Sequence, residues 1–150
     1  MDQLGHRIPT LAAAEDVARL RSILSADAWF MDILETVRRL ELREGVVGAG
    51  VVRNVVWDRL HGNTTRAQLA DVDVAYFDPS DVSEDRDKAL EAELVRQRPD
   101  IPWEVTNQAG VHLWFATVFG YPVEPVHSIE DAVATWPETA TAVGVRLTSG

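Results

Sequence analysis

Two aspartates, Asp71 and Asp73, have a type and a spacing that suit chemistry. They lie in LADVDVAYF, residues 69–77, where apolar and polar positions alternate as in a half-buried strand. Side chains two apart on a strand point the same way. Leu69, Asp71, Asp73 and Ala75 therefore share one face, and Ala70, Val72, Val74 and Tyr76 the other. Like charges side by side oppose folding unless a cation neutralises them. Hard carboxylate oxygens at this spacing suit Mg²⁺ or Mn²⁺, which keep coordination positions open for phosphate oxygens. Such an ion neutralises and orients phosphates and activates an attacking oxygen. The competing reading puts both acids on the wet face of an edge strand. A third carboxylate, Glu104, falls on a separate predicted strand between Trp103 and Val105. It either completes a three-carboxylate site, or is a surface acid or the partner of a buried arginine.

The elements that must position these acids are short and alternate in type. Apolar spacing predicts a helix over 11–26 and a second over AWFMDILETVRRLEL, with Asp27 as N-cap and Gly45 as its end. In the second helix, Trp29, Ile33, Val37 and Leu40 are expected to face the core. Residues 45–50, GVVGAG, predict a short buried strand entering a glycine turn. VVRNVVWDRLHG then suits either a strand or a helix whose face carries Val51, Val55 and Leu60; the glycines favour the helix, with Gly62 at its end. Ser83 caps a helix with acids in its first turn. After Pro99 and Pro102 come a strand from Trp103 to Thr106, a helix over VHLWFATVFG, and a helix capped by Ser128 with Asp131 and stopped by Pro137. A last strand spans 142–147. The expected fold class is α/β or α+β, a small mixed β-sheet flanked by helices.

The glycine turn has polar company. Arg53 and Asn54 fall in the first turn of the following helix, where free N–H groups can meet a phosphate. Alternatively Arg53 pairs with Asp58 or Asp71. Asp58 and His61, three apart, are expected to form a local hydrogen-bonded pair. Asn107 and Gln108 are expected to cap the next helix and tie down its turn rather than to read a ligand. The five tryptophans are expected to be mainly structural; Trp57, Trp103 and Trp114 sit among apolar residues. Arg38, Arg39 and Arg43 are expected on a solvated helix surface.

The chain of 150 residues is 46% hydrophobic, which suits a single compact domain. It has no cysteine, excluding disulfides, thiolate metal sites and cysteine nucleophiles. No secretory signal or membrane-spanning run is evident, so a cytoplasmic location is the default expectation. With 24 acidic and 14 basic residues the net charge is -10, which disfavours non-specific nucleic-acid binding.

Several of these segments together resemble a family. They are GVVRNVVWD from Gly50, His61-Gly62, DVDVAYFD from Asp71, WEVTNQ from Trp103 and WPETAT from Trp136. Over residues 20–147 the chain is similar to bacterial nucleotidyltransferase-like proteins of the NTP-transferase-6 type, grouped with the polymerase-β-like nucleotidyltransferases. The resemblance implies one nucleotidyltransferase-like domain over 1–150, lacking a C-terminal extension that relatives often carry. It implies metal-binding catalytic acids at Asp71, Asp73 and Glu104, with Mg²⁺ or Mn²⁺ as cofactor. It further implies phosphate contacts from Gly48, Gly50, Arg53 and Asn54. The implied reaction moves a nucleoside monophosphate from a nucleoside triphosphate to an unidentified hydroxyl or phosphate acceptor. The superfamily turn is usually Gly-Gly or Gly-Ser, whereas here it is Gly48-Ala49-Gly50. That departure motivates the alternative, an inactive nucleotide-sensing or protein-binding module of antitoxin type, with a protein partner.

Overall fold

The computed structural model describes residues 11–48, 50–63, 71–136 and 144–147. Helices α1 (Leu11–Ser25) and α2 (Ala28–Arg38) lead into β1 (Val46–Gly48) and α3 (Gly50–Leu60). Strand β2 (Val72–Tyr76) is followed by α4 (Glu84–Gln97), β3 (Trp103–Asn107) and a 3-10 turn (Gln108–Gly110). Helices α5 (Val111–Phe119) and α6 (Ile129–Ala134) precede β4 (Gly144–Val145). The sheet order is β3-β2-β1-β4. Strands β2 and β3 are parallel, joined through α4, while β1 runs antiparallel to both β2 and β4. The mixed sheet expected from sequence is therefore present.

The period of two along each strand divides the sheet into unlike faces. Val47, Val72, Val74, Trp103 and Val105 build the main core with Phe30, Ile33, Leu34, Val51, Val55 and Leu94. On the other face Val46 and Ala75 join Phe77, Ala109 and Ile129 in a smaller core. Gly144 belongs to that second arrangement. A Cβ there would meet Val46 Cγ2 at 2.9 Å and Val133 Cγ2 at 3.4 Å, so the bare backbone lets α6 close on the sheet.

The local caps act as expected. Asp27 accepts from the Phe30 amide, Ser83 from Arg86 and Ser128 from Asp131. The Asp131 carboxylate also accepts from the His127 amide at 3.3 Å. Helix α2 ends at Arg38, short of the predicted 28–42 span. Glu41 and Glu44 take left-handed φ of 52° and 50°, and the Arg43 carbonyl accepts from the Phe77 amide. That bond ties the segment to the end of β2, which a continued helix would prevent. Ile33 and Val37 are buried as expected, whereas Trp29 and Leu40 are only partly so. In α3, Val51, Val52 and Val55 are buried but Leu60 is exposed, because the helix ends there. The predicted Leu69, Ala70, Pro137, Ala142 and Val143 lie outside the described residues, as does Ala49 of the glycine turn.

Strand β3 is an edge, and α4 closes it. The Val105 amide donates to Glu91 Oε1 at 3.1 Å and the Asn107 amide to Asp87 Oδ2 at 3.3 Å. Helix-borne carboxylates thus take the place of a neighbouring strand.

Candidate active site

Register brings the sequence-predicted residues to one line. Asp73 stands opposite Glu104 on β3 and opposite Gly48 on β1, and Gly48 stands opposite Gly144 on β4. One rung across the sheet therefore reads Gly144, Gly48, Asp73, Glu104. Asp71 lies just ahead of β2, two residues from Asp73 and hence on the same side. Asp71 is close enough to Glu104 for its charge to bear on that carboxyl.

Their electrostatics agree with that crowding. Partial burial, then the charge of Asp71, pushes the Asp73 carboxyl above its ordinary range. Glu104 is also raised, first by desolvation, then by the charges of Asp71 and Asp73 and by that of Glu91 on α4. Among the described residues no set of three such side chains already encloses a metal position. The donor set fits a hard divalent ion in chemistry, with oxygens alone and surplus negative charge.

The turn beside this rung leads from Gly48 of β1 to Gly50, the first residue of α3. Arg53 and Asn54 lie in the first turn, exposed and half-buried, with Arg53 Nε donating to Asn54 Oδ1 at 3.5 Å. A Cβ at Gly50 would lie 3.7 Å from the Arg53 guanidinium, which places that cation beside the turn. The expected Asp58–His61 pair does not form. Asp58 accepts from Asn63 at 3.0 Å, while His61 stacks on Trp57 and bonds the Trp57 carbonyl through Nδ1 at 2.9 Å. Nor are the tryptophans uniformly structural: Trp103 is buried, but Trp57 is 58% exposed because it projects away from the valine face of α3.

Asn107 behaves as a tie. Its side-chain oxygen accepts from the Asp78 and Ala109 amides, and its nitrogen donates to the Asp78 and Asp81 carbonyls. Arg38 and Arg39 pair with Glu35 on the exposed surface of α2, and Arg43 reaches Glu44 at 4.0 Å. Sequence reasoning missed two participants. Glu91 adds charge to Glu104 while bonding β3. Gly144 completes the rung, and only the pairing of β4 with β1 reveals it.

A strand, a glycine turn and a helix, with acids on the next strand of a mixed sheet flanked by helices, define a nucleotidyltransferase-like fold. A family model described as nucleotidyltransferase matches residues 35–150, and the chain belongs to that family. It is also similar to a solved NMR structure described as revealing a CCA-adding enzyme head domain, with 34% identity and a TM-score of 0.70. The match covers 85% of this chain and 65% of that one. No curated protein matches. No helix among the described residues is long and apolar enough to cross a membrane.

Proposed function

We propose that this chain transfers a nucleoside monophosphate from a nucleoside triphosphate to a hydroxyl or phosphate acceptor, with Mg²⁺ or Mn²⁺ held by Asp71, Asp73 and Glu104. The observation that carries this reading is the rung itself. Carboxylates that repel one another stand beside a glycine turn and the start of a helix. When bound, the divalent ion supplies positive charge to the triphosphate oxygens.

The chain's own groups supply the rest. Bare backbone at Gly48 and Gly50 leaves room for phosphate oxygens near the amides that open α3. Arg53 offers a cation to the β- and γ-phosphates, and Asn54 orients it through their mutual hydrogen bond. Glu104, whose carboxyl has raised proton affinity, accepts the proton of an acceptor hydroxyl. The acceptor oxygen then bonds to the α-phosphorus as the bond from that phosphorus to the bridging oxygen breaks. Pyrophosphate leaves with the electron pair.

Calorimetric titration with Mg-NTP tests the binding, and pyrophosphate release tests turnover. The acceptor panel should include alcohols, phosphomonoesters and an RNA 3′-hydroxyl. Wild-type binding that is lost in Asp71→Ala and Asp73→Ala supports the site. Absence of Mg-NTP binding, or binding indifferent to both substitutions, overturns it. Binding without pyrophosphate release across the panel would instead indicate the nucleotide-sensing module.

A further inference from the structure

The sheet face that carries the acid rung continues past the acids. On β1, Val46 lies two residues before Gly48, so it points to the same side as the rung, about 7 Å along the strand. On β4, Gly144 is itself a member of the rung. Val46 and Gly144 floor a cleft of about 380 Å³ that runs from the rung towards the β4 edge of the sheet. Helix α6 walls it with Ile129, Val133 and Ala134. The exposed Glu130 and Arg146 complete the lining. Bare backbone at Gly144 keeps the floor low, since a Cβ there would press on both Val46 and Val133.

Strand spacing relates this cleft to the acids. Neighbouring strands lie about 4.8 Å apart, so Gly144 stands about 10 Å across the sheet from Asp73. A phosphorus held at Asp73 and a ring lying over Gly144 are therefore separated by roughly the length of a nucleoside. The phosphate contacts leave the rung in another direction. Gly48 ends β1 and Gly50 opens α3, beyond the end of the strand, whereas the cleft lies back along β1 at Val46. One ligand can therefore reach both without doubling back.

The chemistry of the lining selects among the parts of such a ligand. A nucleobase has two apolar faces and an edge of hydrogen-bond donors and acceptors. Aliphatic walls suit the faces. A guanidinium stacks on a planar ring or donates to its carbonyl oxygens and ring nitrogens, and a carboxylate accepts from its N–H groups. Among the described residues neither Arg146 nor Glu130 has a salt-bridge partner, and they do not pair with each other. A phosphate or a hydroxyl-rich sugar would lose water against the aliphatic walls and gain no hydrogen bond from them. Resting on the nucleotidyl-transfer reading above, we propose that this cleft takes the base of the nucleoside triphosphate, with Arg146 and Glu130 holding its polar edge.

Calorimetric titration of the full chain with Mg-ATP, Mg-GTP, Mg-CTP, Mg-UTP and inorganic Mg-tripolyphosphate separates base from phosphate. At least one NTP should bind about tenfold or more tightly than tripolyphosphate, which has no base. Ala134→Trp, which fills the cleft from the exposed side of α6, and Arg146→Ala should each weaken that NTP at least about tenfold. Both should leave tripolyphosphate nearly unchanged at about 0.15 M salt, where a charge so far from the phosphates is screened. Unchanged tripolyphosphate binding also shows that the variants fold. The wild type gives an independent readout: photolysis of a bound NTP with an azide on its base should label peptides containing residues 129–134 or 144–146. Tripolyphosphate bound as tightly as every NTP, NTP affinity unchanged in both variants, or label placed elsewhere would each overturn the proposal and leave the rung's reading standing. So would an Ala134→Trp variant that raises the KM of the acceptor and spares NTP affinity, since the cleft would then belong to the acceptor. Absence of binding by every NTP and by tripolyphosphate would overturn the transfer reading and this one with it.

Discussion

The two ends of β2 carry acids in opposite circumstances. At its start, Asp71 and Asp73 meet Glu104, and burial together with mutual charge raises the carboxyls of Asp73 and Glu104 above their ordinary range. Just past its end, the Asp78 carboxylate accepts from the Ser80 hydroxyl at 2.6 Å and amide at 3.0 Å, and from Arg86 at 2.7 Å. Those bonds hold it well below the ordinary carboxylate range. Arg86 also lies over the Tyr76 ring, whose hydroxyl donates to Asp87 at 2.6 Å. One strand therefore joins a set of acids stabilised by the protein to a set that it crowds. The first can be explained by folding alone. The second is costly to the fold, a cost that the proposed divalent ion would relieve.

The sharpest way to break this contrast is to remove one acid from each end. Asp73→Asn should abolish Mg-NTP turnover, a loss of about 10³-fold or more by pyrophosphate assay. Asp78→Asn should leave chemistry largely in place and act on stability. Next in size is the tie that supports the stabilised end. Asn107→Ala would strip partners from the buried Asp78 amide and from two carbonyls, costing about 3 kcal/mol in denaturant unfolding. A cost close to zero would show that water replaces these bonds.

Asp73→Asn should also stabilise the metal-free protein at neutral pH by up to about 1 kcal/mol, since it relieves like-charge crowding. The dependence on pH sharpens the same point. Raised carboxyls at Asp73 and Glu104 oppose folding above their folded values, and this opposition is relieved as pH falls through them. Lowered carboxyls at Asp78, Asp81 and Glu93, the last to about 2, support folding above the ordinary carboxylate value. That support is lost as pH falls from the ordinary value towards theirs. The metal-free melting temperature should therefore rise as pH falls through the raised values of Asp73 and Glu104, and fall once pH drops below the ordinary carboxylate range. In Asp73→Asn the rise should shrink while the fall remains. A pH profile unchanged in Asp73→Asn would mean that this rung acid does not oppose folding.

Much of this was legible in local sequence. The alternation around Asp71 and Asp73 assigns both to one face without knowledge of a partner strand. The caps at Asp27, Ser83 and Ser128 are equally local, since each needs only the amide three residues on. Gly120 announced the end of α5 because its left-handed turn suits glycine. What escaped depends on distant parts of the chain. Glu104 was a candidate, but its station opposite Asp73 follows from strand register, which tertiary packing sets. Gly144 joins the rung only because β4 pairs with β1 from far along the chain. The early end of α2 reflects the Phe77–Arg43 bond, invisible in helical periodicity. Asp58 turned to Asn63 because that side chain lies beyond the helix end, where the chain folds back.

The closure of β3 by Glu91 and Asp87 has a consequence for how the protein survives at high concentration. A bare outer strand is a template on which another molecule's backbone can crystallise, the first step towards fibrils. Here the amides of Val105 and Asn107 are already engaged, so a passing extended segment finds those donors taken. Replacing Glu91 and Asp87 together by alanine would free the amides of Val105 and Asn107 and convert this quiet border into a seed for cross-β growth.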